Sequence, residues 1–344
     1  MRAAIFHETG GPDVLSIEDV PRPVPGAGEV LIEVRASALN HLDLWVRRGL
    51  PIETTMPHIG GSDVAGKVAE LGAGVDAAWL GARVVIDPSL PCGRCEWCAR
   101  GEHSVCTDYR ILGEHTQGGF AEYVAVPAAN LYRIPEHFDF AVAAAAPLAF
   151  LTAWRALKTR ARWQPGETVL VTGASGGVAS AGVQIAHYLG ARVFAVTTEE
   201  NVERVRALGA EVVYDRDTVD YARELWRATD KRGVDVILDS VGQSTWQSNL
   251  RSLARLGRLV VYGATTGPMA QSDLRLIFWK QLEIIGTTMS NHAEFRTVMD
   301  LVFTGKLSPV VDTILPISEI RAAHERLENG QQFGKIVLVP KERS

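Results

Sequence analysis

All four cysteines of the chain lie in one short segment, Cys92, Cys95, Cys98 and Cys106, spaced C-x2-C-x2-C-x7-C. Four thiols at that spacing can converge on one tetrahedral centre. Soft thiolates suit Zn²⁺ there and leave no coordination position open. A closed site of this kind ties down a loop and performs no chemistry. Gly93 and Gly101 allow the tight turns that aim sulfurs inward, and Arg94, Arg100 and Arg110 offset the charge of four thiolates. Two disulfides or an iron–sulfur cluster are the competing uses. Cysteines this close in sequence bridge one another poorly, and nothing else in the chain marks secretion. The expectation is one structural zinc per chain, held by Cys92, Cys95, Cys98 and Cys106.

A second segment with chemical potential is Gly173-Ala174-Ser175-Gly176-Gly177-Val178-Ala179. A buried-strand pattern over 167–172 runs directly into it, and a helical pattern leaves it toward Gly190. Small residues at 173, 176, 177 and 179 permit a tight turn, close backbone approach to a pyrophosphate and close helix–strand packing. The free N–H groups of the helix N-terminus then face the phosphates. Flanked by that strand, that helix and a second strand at 192–197, the glycines read as a dinucleotide-binding turn. The second strand ends Val196-Thr197-Thr198, where NAD-binding sheets usually carry an acidic residue for the ribose 2′-hydroxyl. Two hydroxyls, with Arg204 or Arg216 in reach, suit a 2′-phosphate; Glu199 and Glu200 would repel one. The expected preference is NADP(H) over NAD(H).

These segments need elements to hold them. The first ~125 residues read as short strands separated by turn signals, a small and mostly antiparallel β domain. Its strand patterns cover 29–35, 64–71, 83–87 and 121–126. From 168 onward, strand and helix patterns alternate up to 262, the mark of a parallel sheet wound with helices on both faces. Helical patterns at 293–303 and 318–328 and a last strand at 335–339 follow. A length of 344 residues with 47% hydrophobic and 22% charged residues fits about two folded domains. The net charge of −5 argues against nucleic acid or an anionic membrane surface as partner. No apolar run is long enough to span a bilayer, and the N-terminus has no signal-peptide core, so a cytoplasmic protein is expected.

With a β-rich first part, a lone four-cysteine loop and this glycine turn, the chain resembles the medium-chain dehydrogenase/reductase superfamily over essentially its whole length. Gly60-Gly61-Ser62-Asp63-Val64-Ala65-Gly66, the glycine turn and Phe333-Gly334-Lys335-Ile336 are similar to the quinone-oxidoreductase branch. The cysteine loop is similar to the zinc alcohol-dehydrogenase branch. The resemblance implies a GroES-like domain over 1–150, completed by 291–344, and a Rossmann domain over 151–290. It also places His41, Thr152, Gly173, Ser175, Gly176, Gly177, Val178, Thr197, Thr198, Arg216, Gly263 and Ala264 on the cofactor.

Zinc alcohol dehydrogenases hold a second, catalytic zinc with a Cys, a His and another Cys. Here the matching positions are Asn40, Ser62 and, near the third, Leu148, with Leu42 where a relay hydroxyl is expected. An amide, a hydroxyl and an aliphatic chain do not replace two thiolates and an imidazole on Zn²⁺. Without that metal, lowering an alcohol's pKa from ~16 to about 7 is forgone, on the order of 11 kcal/mol of alkoxide stabilisation. Hydride addition to a conjugated carbonyl is easier, because the developing oxyanion needs only hydrogen-bond donors. By resemblance the catalytic residues are Asn40, Asp43, Ser62 and Asp63, although Asn40 and Asp43 would equally serve to cap a helix near Leu42.

The expected function is a quinone- or enone-reductase-like NAD(P)H-dependent oxidoreductase without catalytic zinc. It would act on a small apolar substrate walled by Trp45, Phe150, Trp154 and Trp279. The alternatives are an alcohol dehydrogenase whose second metal is rebuilt from His41, His58, Asp63, Glu114 and His115, and a nucleotide-binding protein with little turnover. The apolar segment 273–280, with 282–286 at a sheet edge, points to a homodimer or a tetramer built from dimers.

Overall fold

A computed structural model describes residues 1–51 and 54–340. The chain divides into two compact units, Met1–Leu148 with Ser290–Gly305 and Pro309–Ser344, and Ala149–Met289 with Lys306–Ser308.

The first unit is built on a seven-stranded sheet. Val311–Pro316, Lys335–Val339, Glu29–Ala38, Asp63–Leu71, Arg83–Ile86 and Leu131–Arg133 follow in spatial order, and Tyr123–Pro127 also pairs with Glu29–Ala38. All its pairings are antiparallel except Val311–Pro316 with Lys335–Val339. Alternation of apolar side chains buries Val30, Ile32, Val34, Val64, Val68, Val84 and Ile86 in one core. The terminal strand brings Lys335, its first residue, to the end of Glu29–Ala38, because Val337 pairs with Ala38. Two strands that the sequence patterns did not single out, Arg2–Ile5 and Ser16–Asp19, form a separate hairpin.

The helix His41–Arg48 begins one residue before the expected position. Asn40 is its N-cap, and the Asp43 side chain reaches back to accept from the Asn40 backbone N–H at 2.7 Å. The Asn-x-x-Asp spacing satisfies an otherwise orphaned backbone donor, which helps start the helix immediately after the strand Glu29–Ala38.

The second unit carries a six-stranded parallel sheet, ordered Val212–Asp215, Arg192–Thr197, Thr168–Val171, Val234–Asp239, Leu253–Val261 and Glu283–Gly286. Helices Gly177–Tyr188, Val202–Ala207, Tyr221–Ala228, Trp246–Ser252 and Leu274–Lys280 alternate with the strands. The architecture is the expected α/β one, a doubly wound parallel sheet together with a mostly antiparallel β unit. The strand Leu253–Val261 starts five residues earlier than the last of the alternating strand patterns, which covers 258–262. Its pairing with Val234–Asp239 shifts register between Val234 and Val236 of that neighbour, and Leu256 turns through φ +60, so an exposed bend interrupts the alternation.

Candidate functional site

The four cysteines are drawn together as their spacing demands. The helical turn Glu96–Ala99 starts at Cys95, and the turn His103–Val105 delivers Cys106. Among the described residues, this is the only group of three or more His, Cys, Asp or Glu whose donor atoms gather, all four sulfurs within 4.8 Å of one another. The Cys95–Cys98 and Cys92–Cys98 sulfurs are 3.5 and 4.0 Å apart, and none is in a disulfide. A tetrahedral ion with metal–sulfur bonds of about 2.3 Å requires edges of about 3.8 Å, so the donor set fits a metal ion. Backbone N–H groups of Cys92 and Asp108 also point at Cys106 Sγ, at 3.3 and 3.4 Å. Backbone donors from Cys98 and Thr107 pull the Cys95 thiol down to about 5, whereas burial pushes Cys98 up to about 12.

Asn40, Asp43, Ser62 and Asp63 converge where the strand Glu29–Ala38 passes into its helix and the strand Asp63–Leu71 begins. Asp43 accepts from Asn40 N at 2.7 Å and from Gly61 N at 3.0 Å. Gly61 stands at φ +98, and a Cβ there would lie 2.7 Å from the Phe120 ring, so the close approach requires glycine. Asp63 is fully buried and pairs with Lys335 Nζ at 2.9 Å. It also accepts from Asn40 Nδ2 at 3.0 Å and from Leu148 N at 2.8 Å. Lys335 donates in turn to Asn40 Oδ1. Ser62 Oγ is buried without a protein partner.

Lys335 is the residue that sequence reasoning missed. Its signal was a single charge opening the apolar run Ile336-Val337-Leu338-Val339, where a buried lysine demands a counterion. Leu148 enters through its backbone N–H, which no side-chain pattern reveals.

Electrostatics follow from burial. Desolvation pushes Asp43 up to about 7 against the two backbone donors, and Glu114 rises to about 7 through burial and then the charge of Asp43. His41 falls to about 4 through burial, then through the positive charges of Lys335 and Arg48.

Of the residues proposed for a rebuilt second metal site, Glu114 Oε2 and His115 Nδ1 lie 3.4 Å apart, but among the described residues no three of the set gather their donor atoms. His58 Nε2 faces Gly113 O at 3.0 Å, Asp63 is taken by Lys335, and His115 Nδ1 accepts from Ile111 N at 3.2 Å.

In the second unit, the strand Thr168–Val171 runs into Gly173 at φ +60, and Ala174 N donates to Val196 O at 2.9 Å. Gly176 is the N-cap of Gly177–Tyr188 and offers no side-chain cap, so first-turn N–H groups near Ser175, Gly177 and Val178 are left for a phosphate. Thr152 Oγ1 and Thr197 Oγ1 are buried without protein partners. A Cβ on Gly263 would sit 3.0 Å from Ser240 Cβ, and one on Gly242 would sit 2.9 Å from Ala264 Cα, so backbones pack closely at this end of the sheet. These observations fit a dinucleotide. Thr198 Oγ1 donates to Glu200 Oε1 at 3.0 Å, and Arg216 Nε lies 3.4 Å from Asp217 Oδ1. His41 belongs to the first unit. Trp279 is 69% exposed on Leu274–Lys280.

A doubly wound dinucleotide unit on one chain with a β unit bearing a four-thiolate loop defines a two-unit dehydrogenase. Residues 26–136 match the family model of the alcohol dehydrogenase GroES-like domain, and 177–304 match that of the zinc-binding dehydrogenases. An NAD-dependent alcohol dehydrogenase from Sulfolobus acidocaldarius is 34% identical, covering 98% of this chain and 99% of its own. Acryloyl-coenzyme A reductase from Metallosphaera sedula is 33% identical over 94% of this chain and 95% of its own. A crystal structure of an NAD-dependent alcohol dehydrogenase superposes with a TM-score of 0.95 at 40% identity, covering 98% of this chain and 99% of the other. The chain belongs to the medium-chain dehydrogenase/reductase superfamily and is an oxidoreductase.

Proposed function

We propose that the protein reduces a conjugated carbonyl compound, an enone or a quinone, by direct hydride transfer and without a catalytic metal. One observation carries this reading. Two of the positions that resemble catalytic zinc ligands are Ser62 and Asn40, and the Asn40 amide is closed into a buried network with Asp63 and Lys335. An ammonium occupies the oxygens that a second metal would need. The Gly173–Gly177 turn would hold the pyrophosphate of a nicotinamide dinucleotide, whose reduced form would supply the hydride. The chain's own part is to hold hydrogen-bond donors where negative charge develops, in an interior that excludes water. The likeness to a reductase of acryloyl-coenzyme A, an α,β-unsaturated thioester, supports the same class of reaction.

Zinc is the proposed ion of the Cys92, Cys95, Cys98 and Cys106 centre, since closed four-thiolate tetrahedra suit it. The cofactor expectation shifts. Glu200 puts a carboxylate on Thr198, one of the two hydroxyls that a 2′-phosphate would use, and Arg216 faces Asp217. NAD(H) is the proposed cofactor. Leu274, Phe278, Trp279 and Ile284 expose apolar surface beside Glu283–Gly286, the outer strand of the six-stranded sheet. Pairing of two such edges in a dimer covers them, and a monomeric mass in light scattering at micromolar concentration would refute it.

The test of function is steady-state turnover with NADH and NADPH against panels of enones, quinones and alcohols. Rapid alcohol oxidation abolished by mild chelation would replace this reading with the alcohol-dehydrogenase one.

A further inference from the structure

Of the four candidate catalytic side chains Asn40, Asp43, Ser62 and Asp63, three have every hydrogen-bonding atom engaged inside the protein. Asn40 accepts from Lys335 and donates to Asp63. Asp43 uses one oxygen on Asn40 N and the other on Gly61 N. Asp63 uses one on Leu148 N and the other on Lys335 and Asn40. None has an atom to offer without breaking a buried bond. Ser62 is different: it is 0% exposed, and its Oγ has no protein partner. Buried hydroxyls are almost always paired, so an orphan among saturated neighbours calls for an external acceptor.

We propose that Ser62 is the catalytic hydrogen-bond donor, its Oγ–H meeting the carbonyl oxygen of the conjugated substrate. This rests on the reductase reading above. When hydride reaches the β-carbon of an enone, the C=C π pair moves to form the enolate double bond, and the carbonyl π pair moves onto oxygen. Ser62 stabilises that oxyanion and keeps its own proton. A proton from water completes the α-carbon, so enone, reduced nicotinamide and H⁺ give the saturated carbonyl compound and oxidised nicotinamide. The bond strengthens as charge develops on oxygen, which makes it a contribution to kcat rather than to KM. The closed Asn40–Asp63–Lys335 network then acts as the rigid support that keeps Asp63, and with it the adjoining Ser62, in place.

The experiment compares wild type, Ser62→Ala and Ser62→Thr with 2-cyclohexen-1-one as probe, measuring kcat, KM and thermal stability. Ser62→Ala should melt no lower than wild type, because it removes a buried hydroxyl that bonds nothing in the protein. Its kcat should fall by about 100-fold or more, the usual loss on removing one oxyanion donor, with KM little changed. Ser62→Thr, which keeps the hydroxyl, should recover most of the loss. A Ser62→Ala enzyme within threefold of wild type would overturn the proposal. So would one that is clearly destabilised, since the hydroxyl would then have a structural partner. A folded Ser62→Thr enzyme as inactive as Ser62→Ala would also overturn it. Wild-type protein inert toward enones and quinones would instead remove the reductase reading, and the proposal with it.

Discussion

Replacing Lys335 by Met keeps a long apolar side chain and deletes the ammonium. In the wild-type protein that ammonium donates to Asn40 Oδ1 and, at 2.9 Å, to Asp63 Oδ2, with Lys335 4% exposed and Asp63 0% exposed. Removing one member of a buried ion pair costs about 3–5 kcal/mol, because the other charge stays behind without a counterion. Asp63 would keep two N–H donors, Leu148 N and Asn40 Nδ2, so the lower end applies, about 3 kcal/mol. Against a typical net stability of about 5–15 kcal/mol, that loss is easily seen. Adding Asp63→Asn removes the stranded charge, and the Asn40 amide is then free to turn its oxygen toward the new amide. The double variant should therefore regain about 2 kcal/mol over Lys335→Met alone. Urea unfolding followed by circular dichroism on wild type, both single variants and the double closes the cycle, with equal m-values as the condition for comparison. A Lys335→Met protein within about 0.5 kcal/mol of wild type, or effects that add within that margin, would refute the network as a support.

Elemental analysis of protein purified without added metal should return close to one zinc per chain, and Cys95→Ser should lower stability by several kcal/mol. Two zinc ions per chain would revive the second metal site. His324 is buried with both ring nitrogens unpartnered, and burial, then the charge of Arg47, holds it down to about 3 from an ordinary 6.5. The unfolded chain therefore binds the extra proton between those values, so this stability is complete above pH 6.5 and lost as pH falls through 3. The loss is on the order of 5 kcal/mol. His324→Leu should flatten this acid limb, and identical pH slopes for variant and wild type between about pH 6 and 4 would disprove it. Fluorescence titration should give a lower Kd for NADH than for NADPH, and Glu200→Gln should narrow the gap; tighter NADPH binding by wild type would show that Glu200 does not face the ribose.

Features that depend on neighbours in sequence are legible in the order of the residues alone. The cysteine spacing, the strand–glycine–helix turn and the Asn40-x-x-Asp43 cap all act over a few residues, where backbone geometry decides what can meet. The alternation of strand and helix patterns likewise announces the parallel sheet, because side-chain period reports burial directly. Only the tertiary structure decided what Asp63 does. Its partners are Lys335, 272 residues away, and the backbone N–H of Leu148, 85 residues away. Composition shows that a buried carboxylate needs a counterion, but not which of 35 basic residues supplies it. That choice depends on the register in which Lys335–Val339 joins the end of Glu29–Ala38. Register is a property of the assembled sheet: a slip of one residue would turn Lys335 to the opposite face and leave Asp63 without its counterion.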